Sequence, residues 1–350
     1  MSHQRRFGRI QAVESMRVLA MLFVIVIHTH PLSGQVVDVG GVLDVGDLLN
    51  QAARFAVPYF FLMSGYFWSS KVKGPLGVTV PAVQTFKRVA FIFLAWSLIY
   101  MLPTNLADAF HHGPLGPLKY IHWHLLTAAE NPGLWLLTGS RDHLWFLGSL
   151  LTCVLISAVL LRLEFERSLL VLAVLLYLLG LAGKAYAQTP WGFHSDFNFR
   201  NGPFFGLLFF VSGHVLRHRT PNASWLYQGG VLAVLGMVMH FAEVITLHRV
   251  YGAPMTQDYV VGTYLWGLGL GMVALSNPRP LRWGRVSGWG VMMLGVYVVH
   301  VVFIDLLYPV HKALMGHVAW ELSYPLLVFS LSIGVTRVML RHPRLARLIS

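Results

Sequence analysis

Apolar residues in this chain fall into long blocks separated by short polar intervals, without the tight alternation of a half-buried strand. Ten blocks have about the length a helix needs to cross a hydrocarbon layer about 30 Å thick. They run over 10–31, 48–69, 85–103, 144–162, 168–186, 202–216, 224–246, 259–276, 287–308 and 319–340. The sixth is the shortest, about 23 Å at 1.5 Å per residue, and reads either as a short span or as a half-buried segment. The expected fold class is all-α: a polytopic transmembrane helical bundle of about ten spans, with residues 1–350 forming one membrane domain. No internal repeat is visible, which counts against an inverted-repeat transporter.

Composition supports that reading. Of the 350 residues, 56% are hydrophobic and 11% charged, against about 25% charged in soluble domains. Mean hydropathy is +0.61. The net charge of +12 does not indicate nucleic-acid binding, because the cations sit in small clusters between the apolar blocks. With the amino terminus in the cytoplasm, 18 Lys and Arg fall on cytoplasmic segments and 6 on outer ones. That asymmetry places both termini inside and requires an even number of spans. Arg5, Arg6 and Arg9 precede the apolar run Val18–Ile27 in the manner of a secretory signal, but no small-residue cleavage pattern follows. The segment is expected to be a retained first helix. Cys153 is the single cysteine, so no intramolecular disulfide can form.

A charge at the centre of a membrane helix costs about 2.5–3.5 kcal/mol on insertion scales, so polar groups inside the blocks mark candidate chemistry. Glu14 and Arg17 lie three apart on one helix face and can pair. Arg17 and His28 are eleven apart, close to three turns, which puts them on one stripe about 16 Å apart along the axis. One elongated ligand can touch both. The structural alternatives are a snorkelling Arg17 and a hydrogen-bonded interior His28. In the second block Arg54 has Asp47 or Asp44 as a structural partner, while Pro58, Ser64 and Gly65 suit a kinked, closely packed helix. The fourth opens with Arg141, Asp142, His143 and Trp145, where Trp145 suits an aromatic belt and His143 a site at the outer mouth. Arg200 begins the sixth, and the ninth carries Tyr297, His300 and Asp305. The long outer connection, about 104–142, is rich in His and aromatics; Leu118 to Ala129 is expected to form an interfacial helix, either an acceptor-binding lid or a passive cap. The 17 histidines include no c-type haem attachment motif; no metal site and no resident cofactor are expected.

Together these segments resemble the acyltransferase 3 family of membrane O-acyltransferases. Glu14, Arg17 and His28 look like the family's opening motif, in which Asp usually stands at Glu14 and Gly at Val18. Phe60–Phe67 is similar to its Phe-Phe-x-x-Ser-Gly-Phe segment, and His143–Leu147 to its His-Leu-Trp-Phe-Leu segment. Phe205-Gly206 with Gly213, and Tyr297 with His300, resemble later features. The resemblance implies ten core helices, a cytoplasmic acyl-CoA donor and a carbohydrate or lipid-linked acceptor. The expectation is transfer of an acyl group, acetyl from acetyl-CoA in particular, to a hydroxyl of a cell-surface polysaccharide or lipid-linked oligosaccharide in a bacterial inner membrane. His28, Arg17 and Glu14 are the expected catalytic set, with His28 as general base or acyl carrier. Arg17, Lys71, Lys73, Arg88 and Arg285 would hold the donor, and Arg54, His143, Trp145, Arg200, Tyr297 and His300 the acceptor side. Membrane lipids and the two substrates are the expected partners, with no nucleic acid. The alternative class is a transporter or flippase for a glycan or lipid.

Overall fold

The computed structural model describes residues 10–38, 41–72, 77–111 and 113–350. Lys73, expected at the donor site, lies outside the described residues. The chain is nearly all helix. In order come α1 (Gln11–Thr29), α2 (Val45–Ala52), α3 (Ala56–Val72), α4 (Thr79–Ile99), α5 (Leu106–His111), α6 (Gly116–Glu130), α7 (Pro132–Thr138) and α8 (Trp145–Arg162). There follow α9 (Glu166–Ala182), α10 (Pro203–Arg217), α11 (Ser224–Tyr251), α12 (Val261–Leu275), α13 (Gly284–Ser287), α14 (Met293–Leu314), α15 (Val318–Arg341) and α16 (Pro343–Ala346). Between α1 and α2, β1 (Val36–Asp38) pairs antiparallel with β2 (Val42–Asp44), with Val37 opposite Leu43.

Each of the ten apolar blocks carries one long helix. Among the described residues, six helical stretches are both long and apolar enough to cross a membrane: Gln11–Thr29, Thr79–Ile99, Asp142–Arg162, Ser224–Tyr251, Gly284–Leu314 and Val318–Arg341. The helices Pro203–Arg217 and Val261–Leu275 are apolar but shorter. Large apolar side chains such as Val171, Leu175, Val234, Val238, Leu322 and Leu326 stand exposed on the outer faces of α9, α11 and α15. In water such a surface would drive association; against lipid it is the expected exterior.

α1 lies inside, packed against α3, α12, α14 and α15. Its first turn is satisfied from afar: the Ala12 N–H donates to Asn277 Oδ1 at 3.1 Å. Pro31 disfavours helix at the residue before it, and the helix ends at His30, whose φ is 44°. α3 and α10 cross closely. A Cβ on Gly65 would run into the Phe210 carbonyl, and one on Gly213 into the Leu62 carbonyl. Backbones meet directly there, as small residues allow in helices that lack a hydrophobic drive to associate. The helix expected over Leu118 to Ala129 is present as α6, flanked by α5 and α7, with Leu118, Trp123, Leu125 and Leu126 exposed along it.

Gly65→Ala should therefore destabilise the folded protein by about 1–3 kcal/mol through overpacking. Gly230→Ala, where a Cβ meets nothing within 4 Å, should cost nothing. Thermal unfolding of the two variants in the same detergent checks the contrast.

Candidate active site

Four residues from three helical elements converge beyond the middle of α1. His28 is near the end of α1, His143 lies in the turn entering α8, and Tyr297 and His300 share one face of α14. The ring of His28 is 5.0 Å from that of His300 and 6.3 Å from that of His143, and His143 is 5.4 Å from His300, centre to centre. His300 and His143 are buried, while His28 keeps partial exposure. The Tyr297 hydroxyl donates to the His143 carbonyl, and the Tyr100 ring stands edge-on to His143 at 5.0 Å.

The hydrogen bonds fix the tautomers. His300 Nδ1 is 2.6 Å from the Tyr297 carbonyl, which can only accept, so Nδ1 carries the proton. In the neutral ring His300 Nε2 is then an acceptor, and its partner at 3.1 Å, His28 Nδ1, must donate to it. His28 is left with a basic lone pair on Nε2. His143 Nε2 is buried with no hydrogen-bond partner. His240 provides the contrast: it is fully buried, and its two ring nitrogens meet Thr263 Oγ1 at 2.8 Å and Gln51 Oε1 at 3.0 Å, the satisfied state of a structural histidine.

A cavity of about 410 Å³ runs along α1 toward this cluster. Arg17, Lys71 and Arg88 line its outer part, Phe60, Met63, Phe67 and Phe146 its apolar middle, and Tyr297 its inner wall. Val24 also lines it, one turn before His28 on the same helix face, so the cavity follows the stripe of Arg17 and His28. Arg17 pairs with Glu14 at 3.0 Å, and its guanidinium lies 5.0 Å from the centre of the Phe67 ring. Arg285 is exposed on α13 and is not part of the cavity wall.

A second polar group closes the other end of the bundle. Asp258, between α11 and α12, receives Arg54 Nη1 at 2.7 Å and Lys184 Nζ at 2.9 Å, with Arg200 Nη1 at 3.6 Å. The expected partners of Arg54 were Asp47 or Asp44; the structure gives it Asp258 and Asn50 instead, while Asp44 caps α2 by accepting from the Asp47 N–H. Arg200 also pairs with Asp142 at 2.6 Å and stacks 4.8 Å over Trp145. Thus Arg54, Trp145 and Arg200 gather beside the histidines, though Arg54 spends its guanidinium on Asn50 and Asp258.

Under α6 lies a further cavity of about 410 Å³, lined among others by Thr104, Lys119, Tyr120, Trp123, Arg141 and Asp305. Arg141 pairs with Asp305, which also accepts from Thr104 Oγ1 at 2.5 Å. Arg141 is two residues from His143 and Asp305 five from His300, so this cavity approaches the cluster from the opposite end. The sequence pointed to the aromatic outer connection but not to Asp258, Lys184 or Asn50. Their sole signal was a polar residue near the end of an apolar block, which names no partner.

Long apolar helices with exposed apolar outer faces around a buried polar interior are the build of an integral membrane protein. Residues 10–339 match the family described as an acyltransferase domain, acyltransferase 3, and the chain belongs to that family. It is 27% identical over 307 residues to a serine/alanine racemase of Enterococcus gallinarum, a match covering 83% of this chain and 40% of that protein. To an amino-acid racemase of Enterococcus faecalis it is 26% identical over 239 residues, covering 61% of this chain and 30% of that protein. The chain thus spans less than half the length of these relatives. No solved structure matches it.

Burial alone would raise the Asp258 carboxyl, but Arg200, Arg54 and Lys184 outweigh it and hold the group well below the usual carboxylate range. A depressed folded-state value contributes stability that is complete above about pH 4, the ordinary Asp value, and fades as pH falls toward the folded one. Asp258→Asn should cost about 3–5 kcal/mol at neutral pH by stranding buried cations. The gap between wild type and variant should narrow below about pH 4. Unfolding midpoints measured across that range check it; a gap independent of pH would contradict the ionic assignment.

Proposed function

We propose that this protein transfers an acyl group, acetyl in the first instance, from acyl-CoA to a hydroxyl of a polysaccharide or lipid-linked oligosaccharide. The observation that carries the reading is the cavity that starts at Arg17, Lys71 and Arg88 and is walled by Tyr297, whose ring lies 5.7 Å from that of His143 and 6.0 Å from that of His300, with His28 5.0 Å from His300. Coenzyme A has phosphates at one end and a thioester at the other. The three cations suit the phosphates, Arg by its planar fork, and the apolar middle suits the pantetheine arm. The acyl group would arrive at the histidine cluster.

The acceptor would enter through the cavity under α6. There Trp123 and Tyr120 offer flat apolar faces to a sugar ring, and Arg141 and Asp305 offer hydrogen bonds to its hydroxyls. Its attacking hydroxyl would give its proton to His28 Nε2 while the oxygen adds to the thioester carbonyl carbon. The developing oxyanion would be met by His143, whose Nε2 carries a proton in one tautomer and has no other partner. Collapse breaks the carbon–sulfur bond, forms the ester, and returns the proton from His28 to the departing thiolate. His300, held by the Tyr297 carbonyl, would orient His28 as the third member of a relay, and Glu14 would hold Arg17 against the donor. In the acyl-carrier variant the same Nε2 attacks the thioester first.

Lys and Arg weighting supports placing the Arg17 end in the cytoplasm, and in this reading the chain would have ten spans, both termini inside and residues 1–350 acting as one membrane domain. A bacterial inner membrane supplies donor and acceptor on the required sides.

With purified protein in vesicles, His28→Ala should lower kcat by about 10²–10⁴-fold, the usual contribution of a general base. His300→Gln, whose amide oxygen can still accept from His28 Nδ1, should retain more activity than His300→Phe. Paired Lys71→Ala and Arg88→Ala should raise the acyl-CoA KM at least about tenfold with kcat largely kept. Glycan flux without acyl-CoA, together with no ester formed when it is supplied, would overturn the reading in favour of a transporter.

A further inference from the structure

A second histidine group lies at the Arg217 end of α10, away from the proposed chemistry. His214 lies in the last turn of α10, His218 caps its end one turn on, and Glu166 begins α9 beside them. His214 Nε2 is 3.2 Å from Glu166 Oε1, His218 Nε2 is 3.4 Å from the same oxygen, and the two Nε2 atoms are 3.3 Å apart. His214 is buried, whereas Glu166 and His218 are open to solvent.

These three distances make a nearly equilateral triangle, two edges of which are within hydrogen-bond reach. If both imidazoles donate to the carboxylate, their N–H dipoles lie side by side at 3.3 Å with no bond between them. A metal resolves that conflict, because it takes a lone pair from every vertex. In a tetrahedral site with bonds of about 2.0–2.1 Å, neighbouring donor atoms are about 3.3–3.4 Å apart. The observed edges of 3.2, 3.3 and 3.4 Å fit that figure. Two histidines at i and i+4 on one helix face are a recurrent way to present Nε2 to one ion. Two imidazoles and one carboxylate form a borderline donor set suited to zinc.

We propose that Glu166, His214 and His218 bind a zinc ion, with a fourth position open to water. The ion ties the first turn of α9 to the last turn of α10. Next along the chain, Arg217 donates to Ser70 Oγ at 2.7 Å and lies 5.6 Å from the centre of the Tyr66 ring, so the same helix end is braced onto α3. α3 supplies Trp68 and Lys71 to the wall of the inner cavity. The metal therefore acts as a clamp behind the cationic mouth. The assignment stands on this triangle alone and is independent of the acyl-transfer reading.

The full-length protein, purified without a polyhistidine tag and exchanged into metal-free buffer, should retain about one zinc per chain by elemental mass spectrometry, as one tetrahedral site holds one ion. Glu166→Gln and His218→Gln, both at exposed positions, should each weaken zinc binding about a hundredfold or more, since even outer-shell changes cost about 10–100-fold. A strong chelator should lower the unfolding midpoint of wild type and leave that of either variant unmoved. Cobalt(II) added to the stripped protein should give the intense visible absorption of a tetrahedral site. Wild type that holds no zinc, or Glu166→Gln and His218→Gln that both hold it as tightly as wild type, would overturn the site and leave a carboxylate-bridged histidine pair.

Discussion

Removing charge from water is costly unless opposite charge is already in place, and at one end of this bundle one carboxylate meets that demand for three helix ends. Asp258 takes Arg54 from the corner between α2 and α3, Lys184 from the segment after α9 and Arg200 from the segment before α10. α12 begins three residues later, so a fourth element is anchored at the same point. Three cations exceed one anion, and Arg200 shares the surplus with Asp142. Asp142 adjoins His143, so the ionic hub and the histidine cluster form one continuous polar body. The rest of the interior can then be apolar, as a helix bundle in lipid requires.

Within that body, hydrogen-bond accounting separates fully engaged groups from those with an open position. His240 has both nitrogens engaged, and Arg54 has its guanidinium shared between Asn50 and Asp258. These side chains are committed to the fold. His28 keeps one lone pair and His143 one unpartnered nitrogen, and their ring centres are 6.3 Å apart. Burying an unsatisfied polar atom costs stability, and such atoms in a native interior gather where a ligand will complete them.

Much of this was legible in the sequence where the information is local. Long apolar blocks set the helices. Arg17 and His28 lie on one helix, so periodicity alone places both on the face that the inner cavity follows. Glu14 and Arg17 pair as their spacing requires. Partners that depend on how helices are arranged were not legible. Arg54 meets Asp258 from 204 residues away, and of its nearer acids Asp44 is spent on capping α2. Arg285 belongs to a charge cluster by sequence yet stands apart from the cavity, because exposure is settled by the path of α13. Glu166, His214 and His218 carried no signal as single residues; the triangle exists only once α9 and α10 pack.

The cavity along α1 and the cavity under α6 share no lining residue, and between them lies a layer of three imidazoles and one phenol. If the two cavities open on opposite faces of the membrane, that layer is also the seal between them. A continuous file of water through it would let protons and ions run down their gradients, so the rings must stay packed whenever either chamber is empty. The geometry that leaves His28 one free nitrogen thus also insulates one side from the other, and any substitution that enlarges the chamber for a bulkier cargo risks making the membrane leak.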